Sequence, residues 1–215
     1  MGLLRRSLQV WWTSQAECAD ELGTVSVAQA TDAALARRAG LGDAEAFSEL
    51  FTRHWFATFR YAMRMLNNEQ HVAQDAAQEA WAAAWRGATG FKNQSSFRTW
   101  VFTITYREAL KQRKQRRPQV VDDETVHQML DDHSAASRPL DGSPEAAFSH
   151  LELHQALSLA LAELPWRQRA AWLLREMEGL AYDEIADVLG TSPTVVRGQL
   201  HRARKALNVR LESWR

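Results

Sequence analysis

Residues 191–210, TSPTVVRGQLHRARKALNVR, combine an apolar edge with a face built for a negatively charged partner. Val196, Leu200, Ala203 and Leu207 recur at i, i+4, i+7 and i+11, one stripe of a helix. At about 100° per residue, Thr194, Gly198, His201 and Lys205 fall opposite that stripe, with Arg197 and Arg202 on its flanks. From residue 197 to the end, six Arg or Lys stand against one Glu. Phosphate attraction is therefore available even without sequence reading.

The start of this segment reads as a capped helix. Ser192 can accept from the free amides of the first turn, and Pro193 sits where a missing N–H costs nothing. Upstream, GLAYDEIADVLG predicts a short helix carrying Ile185, Val188 and Leu189, closed by Gly190 and a turn of about three residues. Two helices joined this way predict a helix-turn-helix, whose second member enters the DNA major groove with its N-terminal residues at the base edges. An ordinary helical hairpin with a solvated basic face is the competing reading.

Two further groups of residues carry candidate chemistry. In DAAQEAWAAAWR, Asp75, Glu79 and Arg86 lie opposite Ala77, Trp81, Ala84 and Trp85, with Gln78 at the margin. Like charges four apart are mildly destabilising, a cost that a basic partner would remove. A solvated face is the alternative. In SFRTWVFTITYREALKQRKQRR, the stripe Arg98, Phe102, Tyr106, Ala109 and Arg113 interleaves cations with aromatics, while Trp100 and Ile104 mark the opposite face. Such a stripe suits unstacked bases between phosphates; Phe102 and Tyr106 serve equally as core between three helices. The loop FKNQSS just ahead offers amides and hydroxyls to the edge of an extruded base. His150 and His154 are four apart, but no third metal ligand stands near them, so no metal, cofactor or catalytic residue is predicted.

The elements that position these residues are all helical. With 215 residues, 46% of them hydrophobic, the chain can bury one sizeable core or two small ones. From Thr31 to about Arg117 the pattern is helical throughout: a first long helix through Phe47, Leu50, Phe51, Trp55, Phe59, Ala62 and Leu66, a break at NNEQ, a second helix over 71–87, a loop, and a third over 96–117. Residues 118–147 lack periodicity and read as a linker. Residues 148–215 hold two more helical stretches, FSHLELHQALSLALAELP and WRQRAAWLLREMEG, and then the helix-turn-helix. The expected architecture is all-α, with a loosely ordered extension at 1–30, a helical domain at 31–117, a flexible acidic linker at 118–147 and a second helical domain at 148–215. Net charge is zero, but residues 107–117 hold six Arg or Lys and one Glu, and residues 122–145 hold seven acids and one Arg. Two basic patches separated by an acidic tether suggest contact with a polyanion at two places. The single Cys18 fits a reducing cytosol, no run is long enough for a membrane span, and MGLLRRSLQVWW is too interrupted for a secretion signal.

These segments, in this order, resemble the extracytoplasmic-function (group 4) sigma factors of bacterial RNA polymerase. GDAEAFSELFTRHW, AQDAAQEAWAAAWR and SFRTWVFTI are similar to successive parts of the sigma-2 domain. ALAELPWRQRAAWLLREMEGLAYDEIADVLG and VVRGQLHRARKAL are similar to the sigma-4 domain. The resemblance covers about 40–117 and 148–212. It implies a cytoplasmic, non-enzymatic subunit that directs core polymerase to promoters and assists melting. Its implied partners are core RNA polymerase (the β′ clamp helices and the β flap), promoter DNA both double-stranded and melted, and an anti-sigma factor. Residue by residue, it assigns Asp75, Gln78 and Glu79 to the clamp helices. It assigns Phe91, Lys92, Asn93, Gln94, Ser95, Arg98, Trp100, Phe102, Tyr106 and Arg113 to the minus-ten element. Thr194, Arg197, Gly198, His201, Arg202 and Lys205 fall to the minus-thirty-five element. The acidic linker would thread toward the active-site channel. Arg107, Lys111 and Val195 depart from the family's usual Asn, Asp and Thr, which bears on promoter preference. The alternative function is a stand-alone helix-turn-helix regulator, which needs neither the aromatic loop nor the acidic helix face.

Overall fold

In the computed structural model, residues 27–92, 94–116 and 150–212 are described, the side chains of 150–154 apart. Val27–Gln29 form one 3-10 turn in an N-terminal unit, Met1–Ala30; a second unit, Thr31–Arg215, holds eight described α-helices and no described strand. The linker, most of the N-terminal extension, Asn93 and the side chains of His150 and His154 lie outside the described residues.

Four helices make the first bundle: α1 (Asp32–Gly40), α2 (Ala44–Met65), α3 (Gln70–Gly87) and α4 (Phe97–Arg116). The sequence pattern runs α1 into one continuous helical stretch. The chain instead turns over Leu41–Asp43, where the Asp43 carboxylate accepts the Ala46 N–H at 3.0 Å and starts α2 afresh. Asp32 then ties α1 to α2 by accepting from Arg53 (2.9 Å) and pairing with His54 (2.6 Å). The predicted break at NNEQ is present, with Asn67 and Asn68 at φ 55° and 61°, a conformation that Asn tolerates better than most residues. Aromatic rings fill the space between helices: Phe51 meets Trp81 edge-on at 4.9 Å, and the Trp81 indole N–H donates to the buried Thr58 hydroxyl at 3.0 Å. That polar contact and the rings of Phe47, Phe51 and Phe97 around it fix the orientation of the indole.

The second bundle contains α5 (His150–Ala162), α6 (Trp166–Trp172), α7 (Tyr182–Leu189) and α8 (Pro193–Arg210). WRQRAAWLLREMEG is not one regular helix. After Trp172 the chain widens into a π turn, Leu173–Met177, which buries Leu173 and Leu174 and delivers Glu178 and Gly179 (φ 71°) to the corner before α7. Glu184 Oε2 accepts the Ala181 N–H at 2.9 Å to start α7. Gly190 ends it at φ 62°, where a side chain would be strained. The Ser192 hydroxyl accepts the Val195 N–H at 3.4 Å and Pro193 occupies the first turn of α8. Ile185, Val188, Leu189, Val196, Leu200 and Leu207 are all buried, as the stripes predict.

The two bundles meet along α2 and α4 on one side and α5, α6, the π turn and α7 on the other. One hydrophobic cluster runs through both, from Tyr61, Met65 and Phe102 to Trp166, Leu173 and Ile185. Arg169, 5% exposed, donates across the seam to Met65 O at 3.0 Å and Asn67 Oδ1 at 2.8 Å, and back to Ala162 O.

Candidate nucleic-acid and polymerase interfaces

Helix α8 carries the first interface. Its buried stripe lies against α6 and α7, which leaves Thr194, Arg197, His201, Arg202 and Lys205 exposed on the outward side. Gly198 is half-buried; a Cβ there would meet only the Arg202 guanidinium, at 3.8 Å. That is ordinary contact, so nothing inside the protein requires a glycine at this position. Val195, 41% exposed, adds an apolar group to the same first turn. Not every cation on α8 faces outward for a ligand. Arg204 is held by Glu176 of the π turn at 2.7 Å, which raises its pKa, and Arg210 by Glu163 at 2.6 Å.

Helix α3 carries the second. Val72, Ala73, Ala76, Ala77, Ala80 and Ala84 are buried together with Trp81. The opposite side shows Gln78 and Glu79 exposed and Asp75 at half-burial. Trp85 departs from the sequence wheel. It is 38% exposed at the margin, with its ring 4.8 Å from Phe47.

The loop and α4 form the third, and here the structure shows the core packing that the sequence left open for Phe102 and Tyr106. Phe91 is not splayed outward: its ring lies 4.9 Å from Trp100 and 5.8 Å from Phe97. Lys92 and Gln94 are exposed and Ser95 is half-buried, while Asn93 lies outside the described residues. Ser96 accepts the Thr99 N–H at 3.0 Å and thereby caps α4. Trp100 is half-buried over Gly87, where a Cβ would meet its ring at 3.3 Å. Phe102 is 0% exposed, edge-on to Tyr61 at 5.5 Å; Tyr106 is 6% exposed, with its ring 6.2 Å from Trp166 of α6. Neither presents a free face for a base in this conformation, because that side of α4 packs against α2, α3 and the second bundle. Arg113 is likewise turned onto Trp166, with its guanidinium 5.1 Å from the ring. Arg98 spans the seam to Glu178 while stacking over Phe102 at 5.6 Å. Arg107 and Lys111 stay exposed on α4.

Seam residues are the group that sequence reasoning missed. Arg60 donates to Glu178 at 2.7 Å across 118 residues of chain. Thr99 donates to Glu184 at 2.8 Å. The Ala181 N–H, then the Thr99 hydroxyl, the Arg98 charge and the Ser96 hydroxyl hold the Glu184 carboxyl below its usual range against the opposing effect of burial. One signal was readable: Arg169 falls on the apolar stripe Trp166, Ala170, Leu173 of its helix, a position from which a charged group must find buried partners. Among the described residues no helix is long and apolar enough to cross a membrane, and no group of three or more His, Cys, Asp or Glu is placed to hold a metal ion.

Residues 50–119 match the family profile described as Sigma-70 region 2, and residues 154–207 the profile described as Sigma-70, region 4. The chain is 33% identical over 188 residues to the RNA polymerase sigma-H factor of Pseudomonas aeruginosa, covering 86% of this chain and 95% of that one. It is 29% identical over 186 residues to the ECF RNA polymerase sigma-E factor of Escherichia coli, covering 86% and 96%. Among solved structures, the sigma factor RpoE of Bartonella quintana, crystallised with the anti-sigma factor NepR, superposes with a TM-score of 0.59 at 25% identity, covering 77% of this chain and 96% of that one. CnrH, solved with the cytosolic domain of CnrY, shares the fold with a TM-score of 0.61 at 24% identity, covering 85% and 97%.

Proposed function

The chain belongs to the sigma-70 family as an extracytoplasmic-function RNA polymerase sigma factor, and from that premise we propose how its surfaces divide the work of initiation. It directs core polymerase to specific promoters and assists their melting, as a non-catalytic cytoplasmic subunit; phosphoryl transfer belongs to the polymerase. The observation that carries the reading is α8: a capped helix whose apolar stripe is buried and whose Thr194, Arg197, His201, Arg202 and Lys205 stand together on the exposed side. That is the arrangement of a recognition helix entering a major groove, here on the minus-thirty-five element. Asp75, Gln78 and Glu79 supply the acidic face for the β′ clamp helices. The loop from Phe91 and the α4 side chains Arg98, Trp100, Phe102, Tyr106 and Arg113 serve the minus-ten element, the buried aromatics becoming available once the second bundle moves away. An anti-sigma factor is a further partner, in keeping with the neighbour solved in complex with one. The acidic α3 face favours this reading over a stand-alone regulator, which has no need of one.

Run-off transcription with core polymerase on genomic fragments, with and without the protein, tests the proposal. Discrete new start sites are expected only when it is added. No promoter-specific transcript, together with no co-elution with core polymerase, would refute it.

A further inference from the structure

Glu178 stands at the corner after the π turn with its side chain 3% exposed, yet the ion-pair partners of its carboxylate come from the other bundle. Arg60 Nη2 of α2 lies 2.7 Å from Oε1, and Arg98 Nη2 of α4 lies 3.2 Å from Oε2. Arg98 Nη2 donates as well to the Glu178 main-chain oxygen at 2.5 Å. Beside it, Glu184 of α7 accepts from Thr99 at 2.8 Å and lies 3.5 Å from the Ser96 hydroxyl, at the N-terminus of α4. Two acids of the second bundle thus occupy the donors that the first bundle gathers at one end of α4.

Two guanidinium groups converging on a pair of oxygens that share one negative charge also describe a phosphodiester site. The surroundings point to a single strand of DNA as its ligand. Tyr106, further along α4, is covered by Trp166 of the same second bundle, so withdrawal of that bundle frees a cationic pair and an aromatic ring together. Cations that track the backbone beside rings on which bases stack are the usual means of holding single strands. The seam is also built for reversal. Arg60 Nε, Tyr61 Oη and Trp166 Nε1 are buried in it without a hydrogen-bond partner from the described residues, a cost that opening relieves.

We infer that Arg60 and Arg98 form a phosphate site for single-stranded promoter DNA, and that Glu178 fills this site in the closed arrangement, so that closure and strand capture exclude each other. The inference deepens the reading of α4 as the minus-ten surface and rests on it. It adds Arg60, on a different helix, and a competing anion that lies within the chain itself.

The test uses the full chain and a fluorescent random-sequence single-stranded DNA of about 20 nucleotides, longer than the usual site sizes of such proteins. Anisotropy at several salt concentrations gives affinity and salt slope. Glu178→Gln should bind at least about fivefold tighter than the parent, because apparent affinity is reduced by the fraction of molecules that are not open. Adding Arg60→Ala should abolish that gain and make the salt slope shallower by about 0.7, one phosphate on a single strand. Spin labels on cysteines placed at the exposed Thr52 and Asn208, in a Cys18→Ser background, report closure in the otherwise unaltered chain. Added DNA should lengthen their separation. Unchanged affinity in Glu178→Gln, a gain that survives Arg60→Ala with the same slope, or a label distance indifferent to DNA would each overturn the inference. Run-off transcription by the parent separates the two levels. Success there alongside failure here removes only the Glu178 site, whereas failure there removes the sigma-factor reading itself.

Discussion

Replacing Arg197 with Ala should separate reading of bases from attraction to phosphate. Arg197 is exposed on α8, so its replacement should change stability by no more than about 0.5 kcal/mol, as for surface changes generally. Counting from Pro193 at 1.5 Å per residue, Arg197 lies about 6 Å along the helix and Lys205 about 18 Å along it. The major groove is about 12 Å wide. Arg197 therefore reaches base edges when the N-terminal turn enters the groove, whereas Lys205 has passed beyond the groove to its phosphate wall. A bidentate Arg–guanine contact discriminates by about 1 to 3 kcal/mol, equivalent to roughly 5- to 150-fold in affinity for the best upstream element. Arg197→Ala should lose that factor and flatten preference at one base pair. Lys205→Ala should weaken all sequences alike and make the salt slope shallower by about 0.9, the contribution of one phosphate on duplex DNA. Holoenzyme binding to a small library of upstream elements at several salt concentrations measures both. A uniform loss across the library from Arg197→Ala would refute the placement of the helix and shift base reading to Thr194 or His201.

Other changes test the remaining surfaces. Reversing both Asp75 and Glu79 to Lys should leave helicity intact and weaken association with core polymerase by at least about tenfold, since attraction to a basic partner becomes repulsion; unchanged co-elution would show that the α3 face is merely solvated. Phe102→Ala should destabilise the protein by about 3 to 5 kcal/mol in thermal or denaturant unfolding, because the ring is wholly buried against Tyr61; a near-neutral change would contradict that burial. Glu184 has a folded-state pKa below its ordinary 4.5, so its stabilising contribution is complete above about pH 4.5 and fades as pH falls through the lower folded value. The melting-temperature difference between parent and Glu184→Gln should accordingly be constant near neutrality and shrink below about pH 4.5; a difference that grew on acidification would contradict the hydrogen bonds assigned to it.

Features governed by close neighbours in the chain were legible in the sequence. The Ser192 cap, Pro193 in the first turn, Gly190 at the end of α7 and the stripe Val196, Leu200, Ala203, Leu207 all act within a turn or two of the residues they affect, and helical periodicity alone decides which side of α8 is buried. The same holds for the alanine-rich inner face of α3 and the Asn67–Asn68 break. On α4 periodicity gave the face but not its width: Phe97, Val101, Phe102, Thr105, Tyr106 and Ala109 are all buried and spread over about half of the helix circumference, at about 100° per residue, a breadth set by the several elements that pack on this helix. The division of LLREM into a π turn was equally hidden, since it depends on what Leu173 and Leu174 must reach. Which acid would meet Arg60 and Arg98, and what would cover Tyr106, lay beyond any local pattern. Glu178 is 118 residues from Arg60 and 80 from Arg98, and at such separations a side chain's partner is chosen by how helices pack, a choice that only the tertiary structure makes.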